Sequence, residues 1–165
     1  MKYDGTDLIL LTSASNILGE TILGSSSATM AVSFVAKKYI KITIRLTGKS
    51  TAIADLLTFN SDTGANYSLR RDRNSSGSGA GAASSWSLGG TATANDGFWI
   101  LDLINETGLS KYATIIGTEG ASDASGTMTT LTAHAVWNNT TDPITSLTLT
   151  TSTGTYGAGS SIRVT

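Results

Sequence analysis

The chain of 165 residues lacks several residue types on which common folds and chemistries depend. It contains no cysteine, which excludes a disulfide framework, a thiolate nucleophile and a cysteine-ligated zinc site. His134 is the only histidine, and so the only possible imidazole base. Charged residues make up 14% of the chain and nearly cancel, to a net charge of −1. This balance gives nucleic acid and acidic membranes no basic patch to bind, so we expect neither as a partner.

Long hydrophobic runs are also missing. A membrane-spanning helix needs about 20 consecutive apolar residues, and no segment approaches that length. The apolar run Leu8 to Leu11 is too short for the core of a secretory signal. We therefore expect a protein that is made without an export signal and has no membrane partner.

Threonine, serine and glycine dominate the composition, with 27, 22 and 18 residues. Threonine is β-branched and suits the pleated surface of a strand, whereas serine and glycine are typical of turns. Residues 39–47 alternate between apolar and polar side chains, as a strand with one buried face does. Similar patterns predict strands at 17–23, 28–36, 55–60, 67–73, 98–105, 112–119, 128–138, 144–151 and 160–165. The sequence thus predicts an all-β fold, an antiparallel β-sandwich of about eight to ten strands.

Two pairs of these strands are predicted to form hairpins. Residues 28–36 and 39–47 are joined only by Lys37 and Lys38, and residues 55–60 and 67–73 flank a turn-rich stretch at 61–66. The expected inward residues of the second pair are Leu57, Phe59, Tyr67 and Leu69.

The chain is expected to form one domain over residues 1–165, because neither half carries enough strands to close a sandwich. Residues 1–24 are apolar but poorly alternating and are interpreted as an N-terminal arm. Residues 74–97 are rich in glycine and serine and are predicted to be a long loop without regular structure. Trp86 and Leu88 are its only large apolar residues.

No set of residues predicts a catalytic or metal site. His134 lies between two alanines in a strand, and Asp102 interrupts an apolar strand as a single acid. The turn at 60–66 is rich in side-chain oxygen atoms, as calcium-binding loops are. Counted from Asn60, however, the EF-hand pattern needs glycine at position 6 and glutamate at position 12, where this chain has Ala65 and Arg71. We therefore expect a protein that is not an enzyme and needs no cofactor or metal.

Arginine is clustered near the end of the strand at 67–73. Arg71 and Arg73 share one face of the strand, and Arg70 and Asp72 share the other. Because the guanidinium fork suits carboxylate partners, we predict that Arg71 and Arg73 contribute to an ion pair between subunits.

Two stretches resemble small virion proteins of tailed phages. Residues 57–68 read L-T-F-N-S-D-T-G-A-N-Y-S, where the family has a strand, the motif F-N-x-D-[ST]-G-x-N-Y-S and a second strand. Residues 137–150 and 154–160 are similar to the family's closing strand, its turn G-x-[FY]-x-x-G-[ST] and its final strand. The order and spacing match across most of the chain.

This resemblance implies a jelly-roll-like β-sandwich that is made in the host cytoplasm and located on the capsid surface of the virion. It implies the role of a capsid decoration (cement) protein, which binds the major capsid protein over junctions between its subunits and associates as a homotrimer. No catalytic residues come with the family.

Interaction residues are predicted at two further places. In the N-terminal arm, Tyr3, Leu8, Ile9 and Leu10 are expected to contact the capsid or a sister subunit. The alternative function is a carbohydrate-recognition module of a tail fibre or receptor-binding protein, with Trp86 stacking on a sugar ring.

Overall fold

The computed structural model describes residues 16–50, 54–74, 76–89, 95–121 and 128–165. Every regular element in these ranges is a β-strand, and none of them contains a helix that could cross a membrane. Tyr3, Leu8, Ile9 and Leu10 of the predicted arm lie outside the described residues. The rest of the arm includes the first strand of the fold.

Twelve strands form two antiparallel sheets. In chain order they are β1 (Gly19–Ile22), β2 (Thr29–Ser33), β3 (Tyr39–Leu46), β4 (Asp55–Phe59), β5 (Tyr67–Arg73), β6 (Ser76–Ala83), β7 (Trp86–Gly89), β8 (Asn95–Ile104), β9 (Lys111–Ala121), β10 (Thr129–Trp137), β11 (Ser146–Thr151) and β12 (Ser161–Val164). The larger sheet has the order β1-β12-β3-β8-β9-β10-β5-β6, and the smaller one has the order β2-β11-β4-β7. The predicted all-β antiparallel sandwich is confirmed.

The core lies between the two sheets and follows the alternation in the sequence. In β3, Ile42 and Ile44 are fully buried, whereas Lys41 and Arg45 are exposed. The inward residues predicted for 55–60 and 67–73 are all buried as well. Alternation therefore identifies the buried face of these strands correctly.

The two predicted hairpins are wrong. β2 pairs with β11 in the smaller sheet, whereas β3 pairs with β12 and β8 in the larger one. β4 and β5 are separated in the same way. In both cases the connection crosses from one sheet to the other. A strand can bury its apolar face against the core from either sheet, so a short connection does not require the two strands to pair.

The predicted loop at 74–97 is also wrong, because it contains β6, β7 and the start of β8. β6 has the sequence SGSGAGAA and is an edge strand that pairs only with β5. Backbone hydrogen bonds to β5 are enough to hold this strand in place, although it has no large side chains. β7 is fixed by Trp86 and Leu88, which are both fully buried.

The turn between β4 and β5 is stabilised by two polar side chains. The Oδ1 atom of Asn60 accepts hydrogen bonds from the backbone N–H groups of Thr145 and Ser146, at 2.9 and 3.1 Å. Its Nδ2 atom donates to the carbonyl of Pro143 at 2.8 Å. Asn60 therefore joins this turn to the segment that leads into β11.

Asp62 is the second of these side chains. Its carboxylate accepts hydrogen bonds from the Gly64 N–H at 2.8 Å, the Asn66 Nδ2 at 2.9 Å and the Trp137 Nε1 at 2.7 Å. The hydroxyl of Tyr67 donates to the Asp62 carbonyl at 3.0 Å. The residues that carry the first family resemblance thus have structural roles in this chain.

Asp62→Ala is expected to lower the free energy of unfolding by roughly 2–3 kcal/mol, because three donors lose a charged acceptor. Desolvation raises the pKa of Asp62, but the hydrogen bonds from Trp137, Asn66 and Gly64 outweigh it and the pKa is lowered. The folded state therefore binds the proton more weakly than the unfolded state does. The stabilisation is complete above the ordinary aspartate pKa and is lost as pH falls through the lowered one.

Urea unfolding at about pH 7 and about pH 3 measures this effect, and the deficit of the variant should shrink at the lower pH. Asp102→Ala is the matched control, since Asp102 makes only an exposed ion pair with Lys41. Equal effects of the two substitutions would contradict the role of Asp62.

Candidate interaction surface

The outward side of the larger sheet leaves large apolar side chains in solvent. We call this set the outer apolar face; it consists of Tyr39 on β3, Phe98 and Ile104 on β8, and Tyr112 and Ile116 on β9. Their exposed fractions range from 41% for Ile104 to 67% for Tyr39. The three strands are neighbours in the sheet, so these side chains lie on one continuous surface.

A polar row crosses this surface, one residue from each strand. The strand register aligns Lys41, Asp102, Thr114, His134 and Arg70 from β3 to β5. Lys41 and Asp102 form an exposed ion pair at 3.5 Å. The row therefore places positive and negative side chains between two groups of residues of the outer apolar face.

A shallow groove of about 720 Å³ runs across β8, β9, β10, β5 and β6. Its lining includes Tyr112 and Ile104 from the outer apolar face, and Asp102, His134 and Arg70 from the polar row. Asp102 shares its outward face with Phe98 and Ile104, as the alternation of a strand requires. His134 is exposed in the middle of β10.

The two predicted arginines, Arg71 and Arg73, both have hydrogen-bond partners within the chain. Arg73 donates to Glu119 Oε2 of the same chain at 3.2 Å. Arg71 donates to the carbonyl of Ser87 at 3.0 Å and to the hydroxyl of Ser78 at 3.1 Å. Both guanidinium groups join elements of one chain, and their part in an ion pair between subunits stays a prediction.

Trp86 is fully buried, which corrects its assignment as an exposed sugar-binding residue. Its ring packs edge-on against Phe59 with the ring centroids 4.9 Å apart, and its Nε1 donates to the Val136 carbonyl at 3.1 Å. Trp99 and Tyr156 are buried as well. None of these three rings is available to a ligand in solvent.

Sequence reasoning missed a cluster of buried charges at one end of the sandwich. Lys49 lies in the connection between β3 and β4, and its Nζ atom contacts Oδ2 of Asp55 at 3.0 Å and Oε1 of Glu119. With Arg73 on the other oxygen of Glu119, two cations balance two carboxylates. The side chains of Lys49 and Asp55 are completely buried, and that of Glu119 is 5% exposed.

Burial changes the proton affinity of this cluster. Desolvation raises the pKa of Asp55 to about 6, although Lys49 acts in the opposite direction, and the nearby charge of Glu119 adds to the increase. Desolvation and the charge of Asp55 also raise the pKa of Tyr156. Asp55 Oδ1 and the Tyr156 hydroxyl are buried without a well-formed hydrogen bond to the part of the chain that is described.

One signal in the sequence could have identified the cluster. Asp55 has the same parity as the inward residues Leu57 and Phe59 of β4, and Glu119 has the parity of the inward residue Ile115 of β9. A charged residue at an inward position needs a buried partner, and Lys49 supplies it. The alternation pattern alone therefore indicates that Asp55 and Glu119 are buried and need a buried partner.

Within the described ranges, no group of three or more histidine, aspartate or glutamate side chains is arranged to hold a metal ion. Comparison of the chain with protein-family models, curated proteins and solved structures found no significant match.

Proposed function

We propose that this protein is a structural component of a phage virion and that it decorates the capsid by binding the major capsid protein. The observation that carries the proposal is the outer apolar face. Soluble monomers rarely expose neighbouring large apolar side chains of this kind, and such patches mark protein–protein contacts. The two family-like motifs supply the virion context for the partner.

A binding role agrees better than catalysis with the polar groups on this surface. Among the residues whose placement is described, His134 makes no hydrogen bond to a serine hydroxyl or a carboxylate. Its neighbours across the strands are Thr114 and Arg70, which cannot act as its general-base partners. Asp102 is held by Lys41 in an ion pair.

The polar row favours a trimer over a twofold dimer that is centred on this row. If two copies packed these faces together about a twofold axis through the middle of the row, Lys41 would oppose Arg70, or each would oppose its own copy. Either arrangement places like charges together, which costs energy. A trimer uses two different patches in one heterologous contact that closes on itself. Sedimentation equilibrium distinguishes the two states, and a stable twofold dimer would contradict the proposal.

Ile116→Lys is expected to lower the affinity for capsid shells at least about tenfold, since a loss of roughly 1.4 kcal/mol of binding free energy suffices for that change. The lysine would place a charge in the centre of an apolar contact. Co-sedimentation of the purified protein with capsids that lack it measures the affinity.

Val35→Lys is the matched control, because Val35 is 74% exposed but lies in the connection between β2 and β3, outside the three strands that carry the outer apolar face. It should bind capsids as the unmodified protein does. Wild-type binding by Ile116→Lys, with both variants folded, would exclude this face as the capsid contact.

The alternative is a carbohydrate-recognition module of a tail fibre, and one observation favours it. The groove on the larger sheet has the volume typical of ligand sites and combines an exposed tyrosine with charged groups. Tyr112, and not Trp86, would then stack on the sugar. Glycan-array binding that is lost in Tyr112→Ala but kept in Tyr39→Ala would favour this function over capsid decoration.

A further inference from the structure

The amine of Lys49 is buried and lies against two carboxyl groups. Its Nζ atom is 3.0 Å from Asp55 Oδ2, so the Asp55 Cγ atom is at most one C–O bond farther away. Reactions between groups held at such distances gain greatly in rate, because no entropy is lost in bringing them together.

The residues packed around Lys49 exclude water from it. The ring centroid of Trp99 lies 5.5 Å from Lys49 Nζ. On another side, a Cβ atom at Gly89 would lie only 2.9 Å from the Glu119 carboxylate, so glycine is needed for β7 to pack this closely. Burial of this kind disfavours the charged form of a carboxyl group, and it raises the pKa of Asp55.

We propose that Lys49 and Asp55 condense without another enzyme to form an isopeptide bond between Lys49 Nζ and Asp55 Cγ, with Glu119 as the proton-transferring base. This modification goes beyond a role in capsid decoration and does not depend on it. The buried cluster would then form a covalent cross-link in addition to its ion pairs.

The two carboxyl groups differ in a way that fixes their roles. Glu119 Oε1 contacts Lys49 Nζ and its Oε2 accepts a hydrogen bond from Arg73 at 3.2 Å, so Glu119 is placed to take a proton from the lysine nitrogen. Among the described residues Asp55 pairs with no cation besides Lys49, and its burial favours the protonated form, which is the better acceptor for an amine. Asp55 is therefore the group attacked.

The reaction balances with these groups alone. A proton first passes from the Lys49 ammonium to Asp55, which leaves a neutral amine and a neutral carboxylic acid. The nitrogen lone pair attacks Cγ, and the C=O electron pair moves to Oδ1. Glu119 removes a proton from the nitrogen and delivers it to the hydroxyl of the tetrahedral intermediate. The C–O bond to that hydroxyl then breaks, and one water molecule leaves as the amide forms.

Tyr156 is placed to help at the intermediate stage. Asp55 Oδ1 and the Tyr156 hydroxyl are both buried without a well-formed hydrogen bond to the described residues, and the hydroxyl is close enough to lower the pKa of Asp55 as a hydrogen-bond partner. When Oδ1 becomes negatively charged, this hydroxyl is a donor for it, as in an oxyanion hole.

The full-length protein, purified after expression, provides the test without any substitution. Its intact mass is expected to be lower than the sequence mass by one water. Trypsin should fail to cleave after Lys49, because an acylated lysine is not a substrate, and should release residues 46–70 as one peptide that also lacks one water. Separate peptides 46–49 and 50–70 at their full masses would overturn the proposal.

The same digest checks which acid is linked. A bond from Lys49 to Glu119 would join peptide 46–70 to peptide 112–163, and that result would overturn the assignment of Asp55. Glu119→Gln is expected to leave the protein at its full sequence mass, since no base is present. Glu106→Gln, at an exposed carboxylate paired with Lys38, is the control and should remain fully linked. Complete linkage in Glu119→Gln would exclude Glu119 as the base.

Discussion

Trp86→Ala is expected to lower the free energy of unfolding by about 3–5 kcal/mol, the usual cost of removing a large buried aromatic side chain. The residue has no exposed surface and contacts the rings of Phe59 and Tyr67. It also joins the two sheets, since β7 belongs to the smaller sheet and the Val136 carbonyl that accepts its hydrogen bond belongs to the larger one.

Urea denaturation of the purified variant measures this loss. Tyr39→Ala serves as the control, because Tyr39 is an aromatic residue that is 67% exposed, and its removal should change stability by no more than about 0.5 kcal/mol. A Trp86→Ala variant with unchanged stability and a specific loss of sugar binding would mean that the indole is exposed after all.

Lys49→Met is expected to destabilise the fold by roughly 3–5 kcal/mol, because removing one partner of a buried ion pair leaves an uncompensated charge. The variant retains Asp55 and Glu119 in the interior with Arg73 as the only remaining cation of the cluster. Where Lys49 is bonded to Asp55, the variant loses that covalent link and regains a free carboxyl group at Asp55.

The double variant Lys49→Met with Asp55→Asn separates charge balance from packing. It leaves the pair of Glu119 and Arg73 intact, and we expect it to recover more than half of the stability lost in Lys49→Met. The difference in unfolding free energy between the single and double variants gives the coupling of the two sites. Purely additive effects would show that the charge of Asp55 is not balanced by Lys49.

Strand positions and buried faces were largely predictable from the sequence, because period-two alternation follows directly from the geometry of a strand. β3 illustrates this, since its isoleucines are buried as its pattern indicated. Strand pairing was not predictable in the same way. The short link at Lys37 and Lys38 suggested a hairpin, but alternation says which side of a strand is buried and not which sheet it joins.

β6 could not be predicted from the sequence, because its residues show no alternation between apolar and polar side chains. Its glycine, serine and alanine residues hold their place through backbone pairing with β5. Trp86 was misplaced for the same reason, because the segment around it was taken as a loop. The buried cluster was missed because Lys49 and Glu119 are 70 residues apart and meet only in the folded chain.

The stretch at 57–68 that resembles phage virion proteins forms the crossing from β4 to β5 in this chain. Asn60 and Asp62 organise the crossing from β4 to β5, so a similar motif implies a similar turn. The proposed role on the capsid rests on the outer apolar face together with this resemblance.

The copy number of the protein in purified phage particles tests the proposed function most directly. Quantitative mass spectrometry against the major capsid protein provides it. A decoration protein that covers the shell should be present in numbers of the same order as the capsid protein. A handful of copies per particle would contradict capsid decoration and favour the tail-fibre function, and absence from the particle would contradict both.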